Sequence, residues 1–353
     1  MTVPEPGSTG APSRVLVRLP NWIGDIVMAT PALAALRAHW PDAHLTAAGP
    51  PTAAPLLDGS GLVDEVLALP KRRGTGMAGL RLMVRRLAAG RHELGFLLTN
   101  SFSSALVLRW AGVPRRVGHA GGGRGPLLTT AVVRGQEAGF HALPTPMVES
   151  YFRLLEAAGV PRGDHHTRLG VTPEQEAEAV GWRRTVGLRD EGPLFGIHPG
   201  TSFGPSKLWY PEKFAAVADA LVARRGGQAV VFCGPGEEPL ARTIAGAART
   251  PVVTAADVPL GLGALKAVVR DLDLLVTTDT GPRHLGPAFG VPTVVVMGST
   301  DPRFTNTNLQ RSLVVRTGVD CSPCQRKVCP IDHRCMTRLG PERVLAAAER
   351  LLA

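Results

Sequence analysis

RVLVRLPNWIGDIVMAT, residues 14–30, is the stretch from which the rest of the chain is read. Arg14 to Arg18 is a short apolar run closed at both ends by arginine, the pattern of a strand buried on both faces of a parallel sheet. Ile26-Val27-Met28-Ala29 opens an apolar helix, so Pro20 to Asp25 is a strand-to-helix loop. In open α/β sheets such loops line the ligand crevice at the carboxyl ends of the strands. Gly24 lets a ligand approach the backbone, and Asp25 stands at the helix start, where capping and the helix dipole both favour a carboxylate. An ordinary N-cap uses the same residue, so this stretch sets the fold class, α/β, and leaves Asp25 with two readings.

The alternation continues outward. The pattern predicts strands at Val15–Val17, Leu45–Ala48 and Gly95–Leu98, with helices over 26–39, 76–89 and 101–111 and a further helix around 154–158 stopped by Gly159. After a polar stretch it resumes with strands at Leu194–His198, Ala229–Cys233, Val252–Ala255, Leu274–Thr277 and Thr293–Met297. Helices are expected between them over 211–225, 237–247, 260–270 and 283–289, and a terminal one from Pro341. A chain of 353 residues exceeds one core, so two doubly wound, Rossmann-like domains are expected, facing one another across a cleft. Their bounds are 14–170 and 193–353, joined by a linker over 171–192 and preceded by a disordered start over 1–13.

Composition narrows the partners. The formal charge is +10 and the pI near 10.1, which points to anionic ligands. Aromatics are 5% of residues and are not interleaved with basic ones, which argues against a nucleic-acid groove. No apolar run reaches the length of a membrane span, and residues 1–13 lack the basic and apolar regions of a signal peptide, so a cytoplasmic protein is expected. Peripheral contact with an anionic membrane face through the basic first half stays open.

Three loops of the second half have the character of phosphate or sugar sites. His198 to Pro211 follows a strand, carries Thr201, Ser202 and two glycines, and places Lys207 beyond them. Lysine occurs only at positions 71, 207, 213, 266 and 327, which sets Lys207 apart from a generic solvated cation. Glu237 and Glu238 follow the next strand, where a carboxylate can hold ribose hydroxyls or serve only the helix dipole. The third loop, Thr277 to His284, offers Thr280 and Gly281 for an anion nest, with Asp279 either orienting the loop or binding a sugar hydroxyl. In the first half Lys71, Arg72 and Arg73, with Arg81, Arg85 and Arg86, form either a clamp for an anionic acceptor or a solvated face. Asn100 and Ser101 end a strand at the same crevice, and Arg115, Arg116 and Arg124 extend the positive surface.

With these loops in place the chain resembles glycosyltransferase family 9, the ADP-heptose:lipopolysaccharide heptosyltransferases, and most of all its heptosyltransferase II branch. The match is carried by Pro20 to Asp25, Asn100 to Phe102, Pro114 to Arg116, His198 to Gly200, Lys207 to Trp209, Asp279 to Gly281 with His284, and Gly298 to Pro302. The resemblance implies a GT-B fold and an inverting enzyme that needs no metal or other cofactor. It places the donor ADP-heptose on the second domain and a saccharide acceptor, the lipopolysaccharide inner core, on the first. Asp25 falls on the family's general base and Lys207 on its pyrophosphate-binding lysine. Gly24, Thr201, Ser202, Glu237 or Glu238, Asp279, Thr280, Gly281, His284 and Met297 go with the donor; Lys71, Arg72, Arg73, Asn100 and Ser101 go with the acceptor. Where family members usually carry Met or Ser before the histidine, this chain has Arg283, which adds charge near the diphosphate. The arginine- and alanine-rich usage suits a GC-rich genome, so an aminoglycoside- or nucleoside-type antibiotic acceptor stands as the alternative. A nucleotide-sugar-binding protein without turnover stands as the second.

Four of five cysteines, Cys321, Cys324, Cys329 and Cys335, fall within fifteen residues and enclose His333. Their spacing allows a structural zinc site, disulfides or free thiols. The segment is far in sequence from the donor loops, and no chemistry is assigned to it.

Overall fold

The computed structural model describes residues 10–69, 76–133, 145–305 and 309–353. The chain divides into two compact units at the His165/His166 boundary. In the first, β1 (Arg14–Arg18), α1 (Ile23–His39), β2 (His44–Gly49), α2 (Ala53–Leu57), β3 (Glu65–Ala68), α3 (Gly76–Ala89), β4 (Leu94–Leu97), α4 (Phe102–Trp110), β5 (Arg115–His119), β6 (Thr130–Val132) and α5 (Met147–Glu156) follow in order. All six strands are parallel, in the order β3-β2-β1-β4-β5-β6. β1 lies at the centre because Val15, Leu16 and Val17 are apolar on both faces, and all three are essentially inaccessible. The strand order reverses between β1 and β4, the switch point at which such sheets bind ligands.

The second unit runs α6 (Pro173–Thr185), β7 (Leu194–His198), α7 (Pro211–Arg225), β8 (Gln228–Val231), α8 (Glu238–Ala247), β9 (Val252–Thr254), α9 (Leu262–Arg270), β10 (Leu274–Thr278), α10 (Leu285–Ala288), β11 (Thr293–Val296), β12 (Ser312–Val315), α11 (Arg334–Thr337) and α12 (Pro341–Leu352). Its six parallel strands repeat the first sheet's order as β9-β8-β7-β10-β11-β12. The switch point here lies between β7 and β10, where His198 is in register with Thr277. The two loops that leave these strands therefore emerge side by side.

Local departures from the sequence reading have local causes. Helix α1 begins at Ile23, three residues earlier than the apolar run suggests, with Trp22 as N-cap. Asp25 is thus the third residue of the first turn and not the cap. The stretch 171–192, read as a linker, contains α6, which opens with a capping box between Thr172 and Gln175. Only Gln175, Ala179 and Trp182 of this helix are buried, a stripe at i, i+4 and i+7 narrow enough to vanish in a polar sequence. Ion pairs of Arg183 with Asp271 and of Arg270 with Glu176 tie α6 to the end of α9. The disordered start expected over 1–13 lies largely outside the described residues, and Ser13 donates its backbone N–H to Glu93. Among the described residues no helix is long and apolar enough to cross a membrane.

Candidate active site

The site of the second unit is built on Lys207. Gly204, at φ 151°, turns the loop from β7, and Pro205 to Lys207 form a single 3₁₀ turn. Trp209 then locks its far end: the indole is 2% exposed, lies 4.9 Å from the Phe214 ring, and donates to the Leu339 carbonyl at 3.0 Å. Lys207 is not a free cation at a loop tip. Its ammonium donates to Asp279 twice, at 2.6 Å to Oδ2 and 2.7 Å to the backbone carbonyl, and lies 4.9 Å from the centre of the Phe203 ring. An ammonium has three N–H groups, so one remains for a ligand oxygen.

Asp279 is the hub of this arrangement and not itself a ligand-facing group. It is 6% exposed and also accepts from Arg283 Nη1 at 2.6 Å and from Thr300 Oγ1 at 2.5 Å. Burial pushes its pKa up, but Arg283, Lys207 and Thr300 outweigh that and hold the carboxyl well below the usual carboxylate range. Arg283, expected to add charge near a diphosphate, is buried and spent on Asp279 and Thr305. One carboxylate against two cations leaves the cluster with a net positive charge. The neighbouring His284 is buried, and desolvation together with Arg283 pushes its pKa down to about 3. It is neutral at physiological pH.

The folded pKa of His284 lies below its unfolded value of about 6.5, so between about pH 6.5 and about pH 3 the unfolded chain binds the extra proton and stability falls as pH falls. His198, also lowered by burial, acts in the same direction. Urea unfolding at stepped pH is expected to show a loss of roughly 1.4 kcal/mol per unit for His284 alone, and His284→Asn should remove that share of the slope. An unchanged slope in the variant would contradict the neutral, buried histidine.

The other donor residues divide into those near the switch point and those elsewhere. Thr201 and Ser202 lie on the β7 loop; the Thr201 hydroxyl accepts from Phe203 N, and Ser202 is exposed. Thr280 spends its N–H on the Thr278 carbonyl, so its hydroxyl and the Gly281 amide are what this turn can offer an anion. Glu237 caps the approach to α8, accepts from Gly234 N at 2.9 Å, and lies 4.0 Å from His198 Nε2. A Cβ on Gly200 would sit 2.0 Å from its carboxylate, so that glycine makes room for Glu237 between the loops from β7 and β8. Glu238 instead turns back on the backbone N–H groups of Gly236 and of its own residue, which lower its pKa. Met297 is fully buried at the end of β11, in the core and not open to a ligand.

Sequence distance hid one element. The cysteine-rich segment braces the Lys207 loop: Ser206 N donates to Lys327 O at 3.1 Å, His333 Nε2 meets Ser206 O at 2.9 Å, and Gln325 N reaches Ser299 O at 2.8 Å. All five cysteines are free thiols, and Cys321, Cys324, Cys329 and Cys335 line a cavity of about 370 Å³ with Ser206, Ser299 and His333. Among the described residues, however, no three His, Cys, Asp or Glu side chains are gathered as a set that could hold a metal ion. The segment's visible role in this arrangement is to brace the Lys207 loop.

In the first unit, Gly24 is buried and Asp25 part-buried in the first turn of α1, at the switch point. Asn100 is exposed, and its Oδ1 accepts from Arg124 Nη2 at 2.8 Å. Ser101 is the N-cap of α4, its hydroxyl accepting from Ser104 N at 3.2 Å. Arg124 does not extend a positive surface, and Arg116 is half-buried. Arg116 is bound to the carbonyls of Leu127 and Pro114, and Arg124 is 2% exposed with its Nε on the His119 carbonyl. Arg81 and Arg85 of α3 are exposed, whereas Arg86 reaches the Ala68 carbonyl at 2.9 Å. Lys71, Arg72 and Arg73 lie outside the described residues.

The chain is similar to known proteins along most of its length. The profile of glycosyltransferase family 9 (heptosyltransferase) matches residues 80–334. Lipopolysaccharide heptosyltransferase 2 of Escherichia coli K12 is 29% identical over 96% of this chain and 98% of its own. The structure of E. coli ADP-heptose lipopolysaccharide heptosyltransferase II superposes with a TM-score of 0.81 at 26% identity, covering 96% of this chain and 98% of that one. A family 9 glycosyltransferase from Veillonella parvula gives the same TM-score at 24% identity, covering 96% of this chain and 97% of its own. The two parallel sheets are those of the GT-B fold.

Proposed function

Since this chain belongs to glycosyltransferase family 9, we propose that it transfers a heptosyl group from ADP-heptose to a sugar of the lipopolysaccharide inner core, with inversion and without a catalytic metal. Relatives named as lipopolysaccharide or lipooligosaccharide heptosyltransferase 2 match along most of their length, which supports this donor and acceptor. The single observation that carries the reading is the net-positive Lys207–Asp279–Arg283 cluster at the switch point of the second sheet, beside loops able to hold a diphosphate.

In this mechanism Asp25 takes the proton of the acceptor hydroxyl as its oxygen attacks the anomeric carbon. The bond from that carbon to the β-phosphate oxygen breaks, and ADP departs with its charge met by the third N–H of Lys207, the Thr201, Ser202 and Thr280 hydroxyls and the Gly281 amide. Asp279 fixes the lysine and is a positioning residue. Glu237 holds the ribose: its carboxylate faces the β7 loop, whereas that of Glu238 is engaged with its own turn. The enzyme works in the cytoplasm, and the exposed Arg81 and Arg85 on α3, a helix with no acidic residue, dock it on the anionic inner-membrane face. Incubating purified protein with ADP-heptose and a deacylated inner-core oligosaccharide tests the proposal by mass spectrometry. A core enlarged by one heptose is expected; an unchanged core with intact donor overturns it.

A further inference from the structure

We infer that Arg18 with Asn21, and Arg124 with Asn100, form a pair of oriented amide donors that reads oxygen atoms of a saccharide acceptor and rejects ammonium groups. This rests on the proposed transfer for the identity of the acceptor's site, and goes beyond it in naming what selects the acceptor.

Both pairs share one construction. Arg18 Nη1 donates to the carbonyls of Leu19 and Ala48 while Nη2 donates to Asn21 Oδ1 at 3.1 Å. Arg124 Nε donates to the His119 carbonyl while Nη2 donates to Asn100 Oδ1 at 2.8 Å. A guanidinium has only donors, so the amide atom facing it must be oxygen. Each asparagine therefore turns its NH₂ group away from its arginine, and both asparagines are exposed. An isolated surface amide flips freely; these two are held.

Their placement is matched as well. Arg18 and Leu97 are register partners on adjacent strands, and Asn21 and Asn100 each stand three residues beyond them. The two amides thus flank the β1/β4 switch point, Asn21 on the same stretch as Asp25 and Asn100 on the segment that follows β4. An exposed aromatic ring stands one residue beyond Asn21, Trp22 at 62% accessibility, and another two residues beyond Asn100, Phe102 at 48%. Exposed rings beside fixed polar donors suit a sugar, which presents a C–H face for packing and hydroxyl or carboxylate oxygens for hydrogen bonds. The arginine charges behind the amides make the site hostile to a cation such as a protonated aminocyclitol.

Asn→Asp separates this role from a structural one. A carboxylate keeps, and strengthens, the contact with the arginine but presents no outward donor. Asn21→Asp and Asn100→Asp are each expected to lower kcat/KM for the acceptor about tenfold or more, with ADP affinity and thermal midpoint preserved. Asn100→Ala, which adds no charge, should show the same loss for the acceptor. Unchanged acceptor kinetics, or an equal loss of ADP affinity, overturns the inference. Calorimetric titration of the oligosaccharide into ADP-bound protein distinguishes the two levels. Binding that depends on Asn100 without any heptosyl transfer sinks the proposed reaction and keeps the inference, whereas absence of binding to wild type sinks both.

Discussion

Asp25→Asn is expected to lower heptosyl transfer by about 10²- to 10⁴-fold while ADP affinity stays within about twofold, because a general base acts on the acceptor and not on the nucleotide. Asn keeps the volume and the first-turn position in α1, so the helix and the β1 loop should survive the change. Part-burial between Gly24 and Ile26 gives Asp25 a fixed place at the switch point of the first sheet. ADP release under saturating donor, together with a calorimetric ADP titration, measures both quantities on one preparation. Equal loss of turnover and ADP binding would refute the base assignment and make Asp25 an ordinary first-turn carboxylate.

Asp279→Asn should have the largest effect on stability. Removing one charge from a buried, hydrogen-bonded ion pair costs about 3–5 kcal/mol, since the partner charges stay buried without compensation. Here two cations, Lys207 and Arg283, would be left facing each other. The thermal midpoint should fall by several degrees, and kcat/KM for the donor should fall with it because the lysine loses its anchor. Because the Asp279 carboxyl is held well below its usual range, its contribution is complete above the unfolded value of about 3.9 and is lost as pH falls below it. A variant with the stability and donor kinetics of the parent would show that Lys207 needs no fixing. Asp279 would then be a passive cap.

The parts of the fold legible in the sequence are those whose signal is local. Val15, Leu16 and Val17 announce a doubly buried strand, and helices α3 and α7 begin and end where their apolar periodicity does. The edge strands β3, β6 and β12 escape because they are short, and the interior strand β5 escapes because it opens on two arginines. Helix α6 escapes because three buried residues suffice to dock it. At the site, the phosphate-binding character of the Lys207 and Asp279 loops is visible in residue type, but their mutual contact spans 72 residues and leaves no local trace. The same holds for Ser206 and the cysteine-rich brace some 120 residues away. Arg124 shows the limit from the other side: a charged residue in a glycine-rich loop reads as surface, and only its folded contacts with the His119 carbonyl and Asn100 reveal that it is buried.

Transfer from ADP-heptose to an oxygen-rich saccharide is the reaction proposed for this chain, with Asp25 of the first unit as base and Lys207 of the second on the diphosphate. Its most direct test is ADP release from ADP-heptose by purified protein, offered a deacylated inner-core oligosaccharide in one series and a panel of aminocyclitols in the other. Acceptor-dependent release with the core alone is the result expected. Release with the aminocyclitols alone would contradict it, leaving the chemistry of Asp25 and Lys207 in place but assigning the protein to a different acceptor.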